Sequence, residues 1–324
     1  MTFATATAVA HPNIAFIKYW GNRDDSLRLP VNGSISMNLA ELTTRTMVTF
    51  DSSLPRDIFD LNGTRQGGAP LERVSQHLNV IRGIRGFSCH AHIMSESNFP
   101  ADTGLASSAS AFAALTVASV RAAGIEMTEK DLSRLSRRGS GSAARSIPSG
   151  YVEWLRGTSD SDSYAVSIAP PEHWNLADCI AVVETNPKQT GSSEGHRLAN
   201  TSPLQPARVE DSDRRLDLCR AAIQRRDFEL LAQTIELDSN LLHAVAMTSK
   251  PAIYYWHPVT LLLMQEVQTW RQSGIPCAFT IDAGPNVHVI CETSSLEYVR
   301  SRLQSIKGVQ QVLDCHPGGG VQLV

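Results

Sequence analysis

A run of small residues constrains this 324-residue chain more than any other feature. From Gly104 to Ala123 the sequence reads GLASSASAFAALTVASVRAA, with Leu105, Ala109, Phe112, Leu115 and Val120 near one stripe. That spacing predicts a helix with one apolar face, ended by Gly124. The helix is entered from a Pro- and Gly-containing loop that begins at Pro100. Small residues at its start leave backbone N–H groups accessible, and a helix N-terminus favours negative charge, so Pro100 to Ala111 can hold a phosphate. The same small residues would equally serve close packing. The segment is not a Walker A loop, because the Gly-Lys-Ser/Thr ending is absent.

Alternating apolar residues predict strands over Ala4 to Ala10, Ile14 to Tyr19, Ser34 to Leu39, Thr44 to Phe50 and Ser88 to Met94. Asn62 to Pro70 reads as turns and Leu71 to Ile81 as a helix. Thr128-Glu129-Lys130-Asp131 resembles a capping box that starts a helix running to Gly139. A Gly/Ser loop and a strand from Tyr151 to Leu155 follow. From Asn186 to Val209 the chain is polar and rich in Ser, Thr and Pro, which suggests a domain junction or a mobile loop. Helices then appear over Asp213 to Arg225, Phe228 to Leu237, Val259 to Ser273 and Leu296 to Ile306, with strands at Cys277 to Ile281, Val287 to Cys291 and Gln310 to Leu313. The fold class is therefore α+β in two domains, 1–185 and 186–324.

Composition narrows the function. Charged residues make up 19% with a net charge of −3, so there is no broad basic surface for nucleic acid. The N-terminal stretch lacks the pattern of a signal peptide, and no apolar run is long enough for a membrane span. The six cysteines are scattered without a C-x-x-C pair, which fits a reducing cytoplasm. His90 and His92 share a strand face without a third metal ligand nearby, and read as ordinary strand residues.

Four features carry chemistry. Ser140, Ser142 and Arg145, in Gly139-Ser140-Gly141-Ser142-Ala143-Ala144-Arg145, can face one anion, or Arg145 can make a structural ion pair. Lys18 follows the apolar strand of NIAFIKYWG, either drawn into a cleft or snorkelling at a strand end. Asp282 ends a strand before a Gly-Pro turn, where it either shapes the turn or orients and deprotonates a hydroxyl. The fourth is the helix start itself, with Ser107 and Ser108.

Six ordered segments, NIAFIKYWG (13–21), NFPADTGLASSASA (98–111), RGSGSAARS (138–146), GYVEW (150–154), DSNLLHA (238–244) and DAGPN (282–286), resemble the GHMP kinase superfamily. Within it they look like the mevalonate diphosphate decarboxylases. The resemblance implies a ribosomal protein S5 domain 2-like N-terminal domain, a ferredoxin-like C-terminal domain, a cleft between them and a homodimer. It implies ATP and Mg2+ as cofactors and a phosphorylated mevalonate as substrate. ATP would phosphorylate a tertiary C3 hydroxyl, and loss of phosphate and CO2 would leave an alkene. Residue by residue, the resemblance makes Asp282 the carboxylate at the hydroxyl, Arg145 the clamp on the substrate carboxylate, Asn13 its support and Lys18 a phosphoryl-transfer lysine. Tyr19, Asn22, Ser140, Ser142 and Ser193 fall on the substrate's phosphate side. Ser95, Ser97 and Asn98 fall where adenine contacts lie, Gly104 and Ser107 on the triphosphate, and Ser108 at the γ-phosphate and the metal.

Two departures bear on substrate choice. Family members acting on the diphosphate commonly have lysine after YWG, where this chain has Asn22, and some bacterial members have an arginine near the position of Ser193. Fewer cations favour a less charged phosphate tail. The expectation is decarboxylation of mevalonate 5-phosphate to isopentenyl phosphate, unless Arg23 or another cation replaces the lysine. The alternatives are the 5-diphosphate as substrate, a 3-kinase that does not decarboxylate, or a catalytically dead binding protein.

Overall fold

The computed structural model describes residues 4–99, 107–184 and 190–324. Pro100, Gly104 and the rest of the loop before the small-residue helix lie outside the described residues.

Three main sheets organise the chain. The first places Gln322–Leu323, Thr5–Ala10, Thr44–Asp51, His90–Ser97, Ile58–Leu61 and Thr64–Gln66 side by side. The helix Ser107–Ala122 packs on it: Ala113, Ala114, Val117 and Ala118 are buried against Ala8, Val48 and Ile93, and small side chains allow that approach. The second sheet orders Ala165–Ala169, Tyr151–Trp154, Ser34–Asn38 and Asn13–Ile17. The third orders Cys277–Thr280, Val287–Glu292, Leu176–Val182 and Gln311–Cys315, all antiparallel.

The third sheet is covered on both faces. Ala177, Cys179 and Ala181 face Leu263, Val267, Trp270, Val299 and Leu303 from helices Pro258–Gln272 and Leu296–Ser305. Leu176, Ile180 and Val182 instead join Leu216, Ile223, Leu231 and Ile235 from helices Ser212–Arg225 and Phe228–Thr248. That second cluster also contains Ile14, Ile17, Ile35 and Met37 of the second sheet. Helix Phe228–Thr248 is thus shared between the two halves of the chain, and the candidate site forms along it.

Several elements depart from the sequence reading. Asn62 to Pro70 holds the end of a hairpin and the start of helix Gly68–Arg85 rather than turns alone. Strands Ala165–Ala169 and Leu176–Val182 went unread. Leu176–Val182 is buried on both faces, so it lacks alternation, and its Asp178 is matched by His288 Nδ1 at 2.7 Å. A division at 185/186 leaves this strand with the first domain, although its partners are Val287–Glu292 and Gln311–Cys315. The polar stretch 186–209 is no simple loop: its described part forms helix Ser192–Leu198, a 3-10 turn at Ala199–Thr201 and helix Gln205–Glu210. Its polar side chains bond backbone groups elsewhere. Gln205 Nε2 donates to the Trp20 carbonyl at 2.8 Å and Arg208 Nη2 to the Lys18 carbonyl at 2.8 Å.

His92 Nε2 lies 2.6 Å from Asp60, and no metal-holding group of His, Cys, Asp and Glu occurs among the described residues. None of the six cysteines is in a disulfide. No helix among the described residues is long and apolar enough to cross a membrane.

Candidate active site

Lys18 is the first residue beyond strand Asn13–Ile17, and its backbone is held at both ends. Its N–H donates to Asp238 Oδ2 at 2.6 Å, while its carbonyl accepts from Arg208 Nη2 and from Asn32 Nδ2 at 3.0 Å. Asp238 is buried with Arg215 Nε at 2.8 Å from its Oδ1. A buried carboxylate persists only with such partners. The side chain of Lys18, 2% exposed, reaches Asp282 Oδ1 at 2.5 Å.

Asp282 follows strand Cys277–Thr280, and the residue before it is tied to the same shared helix. Ile281 N–H donates to Ser239 Oγ at 3.0 Å. Adjacent residues of one helix, Asp238 and Ser239, therefore set the two members of the Lys18–Asp282 pair. Beyond Asp282, Asn286 Oδ1 accepts from Val183 N–H at 2.8 Å and fastens the turn to the third sheet. Burial by itself pushes the Asp282 carboxyl up, but Lys18, His288 and Arg145 outweigh it and hold its pKa below the ordinary value. Burial draws the Lys18 pKa down, against the opposing pull of Asp282.

Arg145 sits in the 3-10 turn Gly141–Ser146 and is 3% exposed. Its Nη1 donates to Ser34 Oγ at 2.5 Å and its Nη2 to Asn13 Oδ1 at 3.0 Å, while Asn13 Nδ2 donates to Ser146 Oγ at 2.8 Å. These partners are neutral. Burial lowers the Arg145 pKa to about 10, so the guanidinium stays charged at neutral pH. A fork held by neutral oxygens keeps its charge for an anion.

These groups line a cavity of 380 Å³ together with Tyr19, Ser140, Ser142, Ser193, Ser107 and Ser108. Ser140 Oγ lies 3.1 Å from Ser108 Oγ and 3.3 Å from Ser142 Oγ, a row of hydroxyls between the small-residue helix and the second Gly/Ser segment. Gly141 is required there, because a Cβ would collide with the Tyr19 ring. A second cavity of 420 Å³ shares Ser107, Ser108 and Arg73 with the first. It is lined by Ser95, Ser97, Phe59, Leu61, Pro70, Val74, Phe112 and Leu115. Its apolar walls and few hydroxyls fit a flat aromatic base beside the hydroxyl row.

Two candidates from the sequence do not reach either cavity. Asn98 accepts from Thr43 N–H at 2.8 Å and donates to the Glu41 carbonyl at 2.8 Å, so its amide is spent on a turn. Asn22 Oδ1 accepts from the Tyr19 hydroxyl and its Nδ2 donates to Asp25 at 2.8 Å, so it acts on Tyr19 from behind. Gly104 lies outside the described residues. Arg23 also turns away, donating to the Pro30 and Arg156 carbonyls.

Among the lining residues, Arg28, Arg73 and His196 had no signal strong enough to be found in the sequence, whereas Trp20 lies within the NIAFIKYWG segment. Arg28 has a positive φ of 50° and donates Nε to the Arg138 carbonyl at 3.1 Å, which ties it to the Gly/Ser segment. Counting it, the first cavity presents, among the described residues, four cationic side chains, Lys18, Arg28, Arg73 and Arg145, against one carboxylate, Asp282. Such a lining suits a substrate with several negative charges.

Comparison with known proteins agrees with this geometry. Residues 10–165 match the diphosphomevalonate decarboxylase-like N-terminal domain, and residues 179–318 match the mevalonate 5-diphosphate decarboxylase C-terminal domain. The diphosphomevalonate decarboxylase of Ganoderma lucidum is 38% identical over 311 residues, covering 88% of this chain and 78% of that protein. The Homo sapiens diphosphomevalonate decarboxylase is 37% identical over 307 residues, covering 87% and 76%. The mevalonate diphosphate decarboxylase of Staphylococcus aureus superposes with a TM-score of 0.95 at 38% identity, over 100% of this chain and 98% of that one. A structure of MDDEF in complex with MVAPP, AMPPCP and magnesium gives 0.94 at 36% identity, over 100% and 99%. The two-domain α+β arrangement is that of the GHMP kinase fold. The chain belongs to the diphosphomevalonate decarboxylase family, whose members are ATP-dependent carboxy-lyases.

Proposed function

We propose that this enzyme decarboxylates mevalonate 5-diphosphate, using ATP, to isopentenyl diphosphate, ADP, phosphate and CO2. This replaces the 5-phosphate expected from Asn22. The relatives named above are diphosphomevalonate decarboxylases, and the carrying observation is the excess of cations in the first cavity, with Arg28 as the cation that the loss of lysine at position 22 left unaccounted for.

In this reading the substrate carboxylate lies on Arg145, with Asn13 holding the guanidinium in place. The tertiary hydroxyl donates to Asp282. That carboxylate is ionised at neutral pH and weakly basic, so it orients the nucleophile first and takes the proton as the new O–P bond forms. Lys18 keeps Asp282 charged and faces the phosphoryl group in transit. The helix start with Ser107 and Ser108 and the apolar second cavity fit ATP. Mg2+ bound to the triphosphate would supply charge neutralisation between its phosphoryl groups. The C3–O bond then breaks with release of phosphate, the C1–C2 bond breaks with release of CO2, and that electron pair becomes the C2–C3 double bond. Tyr19, Ser140, Ser142, Ser193 and Arg28 surround the diphosphate end. The assembly carried with this reading is a homodimer in the cytoplasm, checked by sedimentation and by cell fractionation.

Product analysis tests the reaction. With ATP, Mg2+ and mevalonate 5-diphosphate, ADP, phosphate and CO2 should appear in equal amounts. A stable 3-phosphorylated product without CO2 would leave a kinase instead.

A further inference from the structure

His196 lines the first cavity, although nothing in the sequence marks it as a ligand. It lies on helix Ser192–Leu198, and its ring stacks on Tyr19 with centroids 4.0 Å apart and planes at 28°. Trp20 is 4.8 Å away on another side. The helix can come this close because its preceding residue is Gly195, where a Cβ would strike the Trp20 ring. The imidazole is therefore held in one orientation by packing.

Its protonation follows from one hydrogen bond. The Gly21 N–H donates to His196 Nδ1 at 3.0 Å. Nδ1 is thus the acceptor nitrogen, and a neutral ring must carry its proton on Nε2. Burial first, then Arg28, Arg208 and Arg145, lower the pKa to about 3, so the ring is neutral in the working range. Nε2 has no hydrogen-bond partner among the described residues, yet it is not among the sealed, unpartnered side-chain atoms. The ring thus offers a fixed N–H donor at the Tyr19–Arg28 end of the cavity.

We infer that His196 is a specificity-determining residue whose Nε2–H binds the terminal phosphoryl group of the substrate's diphosphate. The inference rests on the reaction proposed above. A neutral donor suits this place, since it bonds phosphate oxygens without adding a fifth cation to a crowded positive lining. The stack on Tyr19 brings the donor beside the hydroxyl that Asn22 orients. Tyr19, Arg28 and His196 then form one recognition unit for the far end of the substrate.

Two variants separate this role from a structural one. His196→Asn can keep an acceptor for the Gly21 N–H but loses the distant donor, whereas His196→Gln can keep a donor near Nε2 but loses the acceptor. Steady-state kinetics with mevalonate 5-diphosphate and mevalonate 5-phosphate would be measured for both variants and the wild type. His196→Asn should raise KM for the diphosphate by about 10-fold, the loss of one hydrogen bond to a charged group, with kcat and the KM for ATP little changed. Its preference for diphosphate over monophosphate should fall by about the same factor, and His196→Gln should recover most of it. Equal losses on both substrates, or a larger loss in His196→Gln than in His196→Asn, would assign the residue to support of Gly21 and overturn the inference. Wild-type enzyme that fails to turn over mevalonate 5-diphosphate would instead sink the parent reaction, and this inference with it.

Discussion

On the substrate side of the cleft, Lys18, Arg145 and Asp282 are charged, largely buried, and drawn from three distant parts of the chain. On the side proposed for the nucleotide, Ser95, Ser97, Ser107 and Ser108 are neutral hydroxyls set around apolar walls. Ser95 pairs with Thr46 at 2.9 Å and Ser97 with Thr44 at 2.9 Å, between neighbouring strands of one sheet. The two sides demand different support. A buried charge needs partners that are themselves fixed, so the substrate side draws on Asp238, Arg208 and Arg215 well behind the cavity. A hydroxyl between strands needs only its own sheet. Damage to charge on the substrate side should therefore be severe and should spread to folding, while damage to a nucleotide-side hydroxyl should stay local.

The largest effect should come from Asp282→Asn, which keeps the shape and removes the charge. A loss of kcat on the order of 10³-fold is expected, with binding of an ATP analogue by calorimetry nearly unchanged. Next is Asp238→Asn, which touches no substrate. It leaves Arg208 and Arg215 without their shared carboxylate and should reduce unfolding free energy in urea by about 3 to 5 kcal/mol. If stability held and only activity fell, the network would not be the scaffold described here.

A third test uses pH. Burial lowers the pKa of His196 and His243 on the substrate side, and of His77 beneath the nucleotide side, to about 3. The unfolded chain binds protons at these sites below about pH 6.5 and the folded protein does not, so their contribution is intact above that pH. It is lost as pH falls from 6.5 toward 3, and at pH 5 each should have cost about 2 kcal/mol. Urea midpoints at pH 7 and pH 5 would show it, and a midpoint that rises on acidification contradicts the assignment. The smallest effect should be Ser108→Ala, about a 10-fold fall in kcat/KM for ATP without loss of stability.

Much of this contrast was legible in the sequence because its parts are local. Lys18, Arg145 and Asp282 each stand at the end of a recognisable strand or turn, within segments whose composition is distinctive. Asn22 and Asn98 lie outside the described lining of the two cavities for a shared reason: an amide beside a turn can satisfy neighbouring groups as readily as a ligand, and spacing alone does not say which. Arg28 and His196 were missed because loops and a short polar helix carry them to the cavity, and that path depends on tertiary contacts. The stretch after Asn186 looked like a loop because its polar residues serve the Trp20 and Lys18 carbonyls instead of solvent. Strand Leu176–Val182 hid for the opposite reason, being covered on both faces with no polar side to alternate.

Substrate choice is where that incomplete reading mattered most, since Asn22 argued for the monophosphate and the cavity's cations argue for the diphosphate. The direct measurement is kcat/KM for mevalonate 5-diphosphate and mevalonate 5-phosphate under identical ATP and Mg2+, with CO2 as the product followed. A clear preference for the diphosphate is predicted. Equal or better turnover of the monophosphate would contradict the account.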